Sequence, residues 1–383
     1  MGCLRLLLAL SVVIAHTTPI FGLRLVGGAT AVETFFMISG FYMALVINEK
    51  YFVGGQSMKS AYRLFLEARA MRLYPLYALI LVLTVIMQVA LHRPGTQGIS
   101  LAPALGFWAQ DFHHMHWSSL LLLVGTNLSL VGQDGIMFTG LNLHTGKLFW
   151  TANFWSVPLA GWHFLFLPQA WTLGLEITFY LLAPFIVRRK VPFLVSVVAL
   201  SFVLKHVLAH HGLRLDPWLY RFFPSELQYF ALGALGYKGY RWLQDRNLFQ
   251  LWWGYLSLFC AAASILLFSH FSSPRELEAY YWLMAINIPL IFLLTKRIKI
   301  DRMIGELSYP VYLCHVFVLQ ILSRFNHSSG LSVCVVTLVF AAALLYGFDL
   351  PLERWRQRWI QKQEAAAKKA MTHQSLHLVS TTP

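Results

Sequence analysis

Charged residues are scarce in this 383-residue chain: Asp, Glu, Lys and Arg make up 12% of it, against 57% hydrophobic residues. An ordinary soluble domain carries about twice that share of charge, so this class is excluded. Acidic residues are the fewest, 16 against 30 basic ones. Because the basic residues lie between apolar windows about 20 residues long, they indicate membrane topology, and we expect no nucleic-acid partner.

Cysteine is also rare, and the four residues show no paired spacing. They all lie in or beside apolar windows: Cys3, Cys260, Cys314 and Cys334. This pattern excludes a disulfide framework and a cysteine zinc site. The histidines at 113, 114 and 116 lack the i, i+4 spacing of a helical zinc pair. We therefore expect no metal and no bound cofactor.

Long hydrophobic runs, in contrast, fill most of the chain. Each run that is long enough to cross about 30 Å of hydrocarbon as a helix is predicted to be a transmembrane helix. The run from Leu120 to Val131 is too short to cross and is predicted to be interfacial or re-entrant, within a long outer segment 92–169. The chain is predicted to be all-α and polytopic, with one bundle over 1–352 and a short basic and polar tail over 353–383. The ten predicted transmembrane helices are 6–23, 31–48, 73–91, 170–187, 191–210, 226–243, 250–269, 279–295, 303–323 and 331–350.

The basic residues give the orientation. With the N-terminus inside, 22 of the 30 lysines and arginines fall in cytoplasmic segments, as the positive-inside rule requires. Both termini are therefore predicted to be cytoplasmic, in a multi-pass protein of the inner (plasma) membrane. Membrane lipid is its expected surroundings, and the residues do not indicate an oligomeric state.

The first predicted span places two ionisable residues on one helix face. Arg5 and His16 are eleven residues apart, so they share nearly one face and are separated by about 16 Å. An ionisable side chain within hydrocarbon is costly unless it faces a cavity or a partner. His16 is therefore either a functional residue or a satisfied interior histidine.

Glu33, near the start of the second span, needs a partner for the same reason. His16 on the preceding helix is one candidate, because a carboxylate that accepts one ring N–H leaves the other nitrogen as a base. By helical rise, Glu33 lies about 7 Å closer to the outer membrane surface than His16 does. A carboxylate at the outer interface, without contact to His16, is therefore the alternative.

A basic cluster precedes the third span. Arg69 and Arg72 share a helix face at i and i+3, and Arg63 lies near it. Guanidinium groups bind phosphate in a bidentate manner and stay charged, so the cluster suits an anionic, phosphate-bearing donor at an inner membrane mouth. Ordinary membrane anchoring is the alternative.

Two later spans carry further polar residues. Glu176 and Tyr180 lie one helical turn apart, and their role is either to hold an acceptor hydroxyl or to form a structural ion pair. Ser308, Tyr312 and His315 form a polar stripe at i, i+4 and i+7, which we expect to face the bundle interior. His315 is either a hydrogen-bond donor next to the reaction site or a core histidine.

Taken in order, these motifs resemble the acyltransferase-3 family of membrane O-acyltransferases. The resemblance covers the whole chain. It rests on Leu4-Arg5 with ten residues before His16, Phe35-Phe36-x-x-Ser39-Gly40-Phe41, Arg69-x-x-Arg72 before Tyr74-Pro75, Trp171-x-Leu173 with Glu176 and Phe179-Tyr180, and Ser308-Tyr309 with Tyr312-Leu313 and His315.

The resemblance implies an enzyme that takes an acetyl group from cytoplasmic acetyl-coenzyme A and delivers it to a hydroxyl of a surface or exported polysaccharide, or of its lipid-linked precursor. It implies donor phosphates held by Arg5, Arg69 and Arg72, and His16 as the base or as a transient acyl carrier. Family members often have Asp at the position of Glu33, so the carboxylate is retained. An O-succinyl or other acyl donor, a macrolide or small glycosylated acceptor, and a non-enzymatic glycan or lipid transporter are the alternatives.

Overall fold

The computed structural model describes residues 1–52, 57–91, 103–214, 216–268 and 273–362. The described chain is mostly helical, as predicted, and its strands form a single short antiparallel hairpin in which Thr139 pairs with Trp150. The elements are α1 Gly2–Ala15, α2 Gly28–Val46, α3 Met58–Leu91, α4 Pro103–Asp111, α5 Trp117–Ser129, α6 Gln133–Ile136, β1 Thr139–Leu141, β2 Leu148–Trp150, α7 Trp171–Ile186, α8 Val191–His210, α9 Phe223–Asp245, α10 Leu251–Leu267, α11 Pro274–Thr295, α12 Lys299–Glu306, α13 Ser308–Arg324 and α14 Gly330–Leu344.

Six helical segments of the described chain are long and apolar enough to cross a membrane. α1 and α10 are apolar but shorter. A helix lies at each of the ten predicted windows, and the number that crosses the membrane stays a prediction. The six segments are Gly28–Tyr51, Met58–Leu91, Val191–His210, Arg275–Thr295, Lys299–Arg324 and Gly330–Lys362.

The first predicted span, 6–23, is wrong at its C-terminal end. α1 stops at Ala15, and His16 is its C-cap residue. Pro19 cannot continue a helix, and the Thr17 hydroxyl donates to the carbonyls of Val13 and Ile14 at 3.1 and 3.3 Å, which satisfies the open end. His16 therefore lies at the end of a helix and not within one.

The N-terminus of α1 is held by α12. The backbone N–H groups of Gly2 and Cys3 donate to the Asp301 carboxylate at 2.8 and 2.9 Å, a charge that is favourable at a helix N-terminus. A Cβ atom on Gly2 would lie 1.5 Å from the carbonyl oxygen of Asp301, so only glycine permits this approach. The contact fixes the first turn of α1 and hence the position of Arg5.

The long segment predicted outside the membrane is folded where it is described; its first part, 92–102, lies outside the described residues. Asn127 in α5 is buried, its amide donates to the carbonyl of Phe164 at 3.0 Å, and its side-chain oxygen accepts from the N–H of Phe166 at 3.0 Å. Tyr77 donates to the carbonyl of Asn127 at 2.5 Å. These bonds attach α5 to α3 and to the chain that leads into α7.

The first part of the predicted tail is also helical. Residues 353–362 continue the helix from α14, and residues 363–383 lie outside the described residues.

α2 and α9 cross at a pair of glycines in the core. A Cβ atom on Gly40 would lie 2.0 Å from the carbonyl oxygen of Phe230, and one on Gly233 would lie 1.9 Å from that of Met37. The rings of Phe36 and Phe230 stack beside this crossing at 4.7 Å. Small residues that let helix backbones meet are a common basis of packing within membranes, and Gly40 is such a helix contact.

This crossing gives a prediction about stability. Gly233→Ala should lower the temperature at which the purified protein loses its monodisperse form, because the new methyl group must separate α2 from α9. Gly239→Ala on the same helix is the matched control, since nothing lies within 4 Å of its added Cβ atom. There alanine should be neutral or stabilising, by up to about 1 kcal/mol. Equal behaviour of the two variants would contradict the close crossing.

Candidate functional site

A cavity of about 530 Å³ lies among α1, α2, α3, α7, α12 and α13. We call it the arginine cavity. It collects residues that are far apart in the sequence because all of these helices border it. The predicted site residues that line it are Arg5, Arg69, Arg72, Glu176, Tyr180, Ser308 and Tyr312.

Three of the arginines that line this cavity lack an ion pair in the described chain. Among the described residues, none of the salt bridges involves Arg5, Arg69 or Arg72. The Nε atom of Arg69 is buried and has no hydrogen-bond partner in the described chain. Unpaired guanidinium groups in a partly buried site are costly, so this arrangement favours an anionic ligand that compensates them.

Acidic residues also line the cavity, but part of their negative charge is compensated by hydrogen bonds within the protein. Asp301 accepts the N–H groups of α1, and Glu353 accepts from the Arg356 guanidinium at 2.7 Å. Tyr180 donates to Glu176 at 2.6 Å, and Glu176 interacts electrostatically with Arg5 and Arg72. The structure thus places Glu176 and Tyr180 beside the arginines. The basic lining residues are Arg5, Arg69, Arg72, Lys296 and Arg302.

Arg63 does not join this cluster, which corrects the prediction from sequence. Its side chain is 81% exposed and pairs with Glu67 at 2.7 Å, one turn along α3. Arg63 precedes Arg69 by six residues and Arg72 by nine. At about 100° per residue these spacings turn its side chain about 240° and about 180° away from theirs, so it does not share their face. It therefore extends into solvent instead of into the cavity.

The structure brings His16 and His315 together. Their ring centroids are 5.2 Å apart, and the planes are tilted by 37°. His315 is fully buried, whereas His16 is exposed at the end of α1. Nδ1 of His315 lies 2.6 Å from the carbonyl oxygen of Tyr312, which can only accept, so Nδ1 carries the proton. The Nε2 atom of His315 is then an acceptor, and it has no partner among the described residues.

Tyr312 stands between the histidine pair and the arginine cavity. Its ring centroid is 5.9 Å from that of His315, and its hydroxyl donates to the carbonyl of Gln169 at 2.7 Å and contacts the hydroxyl of Thr172 at 2.7 Å. Tyr312 and Thr172 line the cavity, while neither histidine does. The polar stripe of α13 does face the interior, with Ser308 donating to the carbonyl of Gly305 at 2.7 Å.

Glu33 does not contact His16, and the predicted pairing between them is wrong. Its carboxylate accepts from Lys205 at 2.9 Å and from the hydroxyl of Tyr281. Lys205 also donates to Glu226 and Tyr229, both at 3.2 Å. The helix faces explain the difference: α1 stops at His16, and Glu33 faces α8 and α9. This carboxylate is part of a buried ion cluster.

Sequence reasoning missed Lys205 and Glu226, although a signal was present. Lys205 lies inside the apolar window 191–210, and the rule that made His16 a candidate applies equally to it. Asp301 was missed for a different reason. It follows a run of basic residues between two spans, where a lone acid has no distinguishing pattern.

A known protein family and a known protein match this chain in sequence. The family model described as "Acyltransferase domain" matches residues 1–349. A protein of Aquifex aeolicus (strain VF5), with the printed name "Uncharacterized protein", is 27% identical over 189 residues, which cover 47% of this chain and 83% of that protein. No solved structure matches the chain.

The ion cluster generates a prediction that separates structure from catalysis. Lys205→Met should destabilise the protein by about 3 kcal/mol or more, because two buried carboxylates lose their cation. The double variant Lys205→Met with Glu33→Gln should recover part of the lost thermal stability, since one of the two charges is then removed.

Lys190→Met, at the exposed start of the same helix, is the control and should have no effect. A Glu33→Gln variant that keeps full stability but loses all turnover would contradict the structural role of the cluster.

Proposed function

Because this chain belongs to the acyltransferase-3 family and is a membrane acyltransferase, we propose that it transfers an acetyl group from cytoplasmic acetyl-coenzyme A to a hydroxyl of a cell-surface or exported polysaccharide, or of its lipid-linked precursor. Its apolar helices make it an integral membrane protein. The proposed location is the inner membrane, with both termini in the cytoplasm.

The observation that carries this proposal is that one short helix connects the two halves of the chemistry. Arg5 lies in the arginine cavity, and His16 ends the same helix about 16 Å away by helical rise. Coenzyme A thioesters have the matching form: a group of phosphates and a thioester separated by an extended arm. The arm would pass the apolar lining residues of the cavity, among them Phe35, Phe36 and Leu173.

At the donor end, Arg5, Arg69 and Arg72 would hold the phosphates. Planar guanidinium groups donate two parallel hydrogen bonds to a phosphate, and a cavity shielded from bulk water strengthens them. Glu176 and Tyr180 would position the arginines, because Glu176 interacts with Arg5 and Arg72 while it accepts from Tyr180. Lys296 and Arg302 add positive charge to the same cavity.

At the reacting end, neutral His16 would act as general base. It takes the proton from the acceptor hydroxyl as the oxygen forms a bond to the thioester carbonyl carbon. The C–S bond then breaks, and the coenzyme A thiolate receives that proton. In the variant with a transient acyl-histidine, the His16 nitrogen attacks the thioester carbonyl carbon, the C–S bond breaks and coenzyme A leaves as the thiol. The acceptor oxygen then attacks the acyl carbon, the bond from that carbon to His16 breaks, and the His16 nitrogen takes up the hydroxyl proton.

His315 would be a positioning residue for His16. Its Nε2 atom is an unpartnered acceptor within the described chain, and the ring of His16 is its neighbour. An N–H of His16 that donates to this atom fixes the tautomer and leaves the other nitrogen as the base. Ser308 and Tyr312 support this arrangement on α13. Because Tyr312 separates the cavity from the histidines, the thioester must pass its side chain.

The role of His16 can be tested directly. His16→Ala should abolish acetylation of the polysaccharide while the protein still reaches the membrane, because no other base replaces the lost imidazole. The measurement is the acetate released by alkali from polysaccharide of cells that express each variant. His211→Ala is the matched control, since His211 is also an exposed histidine at a helix C-cap. Retained acetylation in His16→Ala would remove the proposed base.

The donor site makes a second prediction. Arg69→Ala with Arg72→Ala should raise KM for acetyl-coenzyme A by about a hundredfold, because two charge-assisted contacts to phosphate are lost. The initial rate of thiol release by purified protein measures this. Arg63→Ala on the same helix should leave KM unchanged, since that side chain lies outside the cavity. An equal effect of all three substitutions would make the arginines membrane anchors.

A further inference from the structure

A second cavity, of about 510 Å³, lies beside the β-hairpin and the residues that lead into α9. We call it the aromatic cleft. Trp150 at the end of β2 is 76% exposed, which is unusual for a large side chain in the wall of a concave site. The cleft is lined by Asp134, Gly135, Phe138, Trp150, Thr151, Ala152, Trp218, Arg221, Phe222, Phe223 and Pro224.

The aromatic walls are held in place from both sides. The Nε1–H group of Trp218 donates to the carbonyl of Ala152 at 2.8 Å, which joins the residues before α9 to the end of the hairpin. The rings of Phe138 and Phe222 pack against Trp218 with centroids 5.1 and 5.3 Å away. The cleft is therefore built from residues whose positions are already fixed, as a binding site requires.

Two charged groups in the cleft are available to a polar ligand. Arg221 donates through Nε to both oxygens of Asp216, at 2.6 and 2.9 Å, and its guanidinium lies 4.4 Å from the ring centroid of Trp171. Its terminal amino groups form no hydrogen bond or ion pair with other described residues. The Asp134 carboxylate forms no salt bridge within the described chain and accepts the backbone N–H groups of Asp134 and Gly135 at the start of α6.

The cleft approaches the histidine pair through Arg221. Arg221 interacts electrostatically with His16, and it stacks on Trp171. Trp171 immediately precedes Thr172, which lines the arginine cavity. The first two residues of α7, Trp171 and Thr172, thus lie between Arg221 and the arginine cavity. The positive charge of Arg221 also acts on the proposed base, His16.

We propose that the aromatic cleft binds a sugar ring of the acceptor glycan; this inference rests on the proposed function. A sugar presents an apolar face, which suits the exposed ring of Trp150, and a rim of hydroxyl groups, which suits the donors of Arg221 and the acceptor Asp134. A lipid tail would use the aromatic rings but would leave the terminal amino groups of Arg221 without a hydrogen-bond partner. The bound ring would direct one hydroxyl toward His16.

The test uses purified protein in lipid nanodiscs, saturating acetyl-coenzyme A and graded amounts of polysaccharide prepared from cells that lack this protein. Trp150→Ala should raise KM for the polysaccharide by at least about tenfold, while KM for acetyl-coenzyme A stays within about twofold. Trp150→Phe should restore most of the affinity, because it retains a flat ring. Because the Trp150 side chain is exposed, its replacement should not impair folding. The thermal stability of each variant is measured to verify this.

Trp155→Ala is the matched control, because Trp155 is a tryptophan on the same surface, 64% exposed, that does not line the cleft. It should leave both KM values unchanged. An unchanged KM for the polysaccharide in Trp150→Ala would overturn the assignment of the cleft. An equal rise of this KM in Trp155→Ala would also overturn it, because both tryptophans would then be membrane anchors. In either case, acetylation by the unaltered protein would still support the proposed enzyme. If the unaltered protein acetylates no polysaccharide, the proposed acceptor and the cleft assignment both fall.

Discussion

The cost of placing charge among apolar helices determines where the functional groups of this protein lie. An ionic side chain within hydrocarbon must find a counter-charge or a polar cavity. The structure uses both solutions. Lys205 lies between Glu33 and Glu226 and is compensated by protein, whereas Arg5, Arg69 and Arg72 line a cavity and are left without an ion pair in the described chain. The first group is neutralised by the protein itself, and the second is one that the proposed donor phosphates would neutralise.

α1 gives these groups a common axis. Its N-terminus is fixed by the Asp301 carboxylate, which sets Arg5 in the arginine cavity. Its C-terminus places His16 against His315 on α13. Because a helix is rigid over this short length, the distance between Arg5 and His16 is set by the number of residues between them. The aromatic cleft approaches the C-terminal end of this helix through Arg221, which interacts electrostatically with His16.

Much of this could be predicted from sequence because hydrophobic length and the distribution of arginines are local properties. Helices lie at all ten predicted windows, and the seven cavity residues predicted from the motifs are in contact with one space. The errors have a common cause. Arg63 and Glu33 were assigned to partners by proximity along the chain, while the side of each helix that faces a neighbour decides what a residue contacts.

The sequence by itself determined the class of protein, the helical windows, and the motif that places Arg5 and His16 near opposite ends of one helix, since each follows from helical geometry and from the cost of exposing polar groups to lipid. Only the tertiary structure decided that His315 is the neighbour of His16, that Lys205 takes Glu33, and that Arg221 and Trp150 meet in one cleft. These contacts join residues more than 60 positions apart, and helix packing, which no local pattern encodes, brings them together.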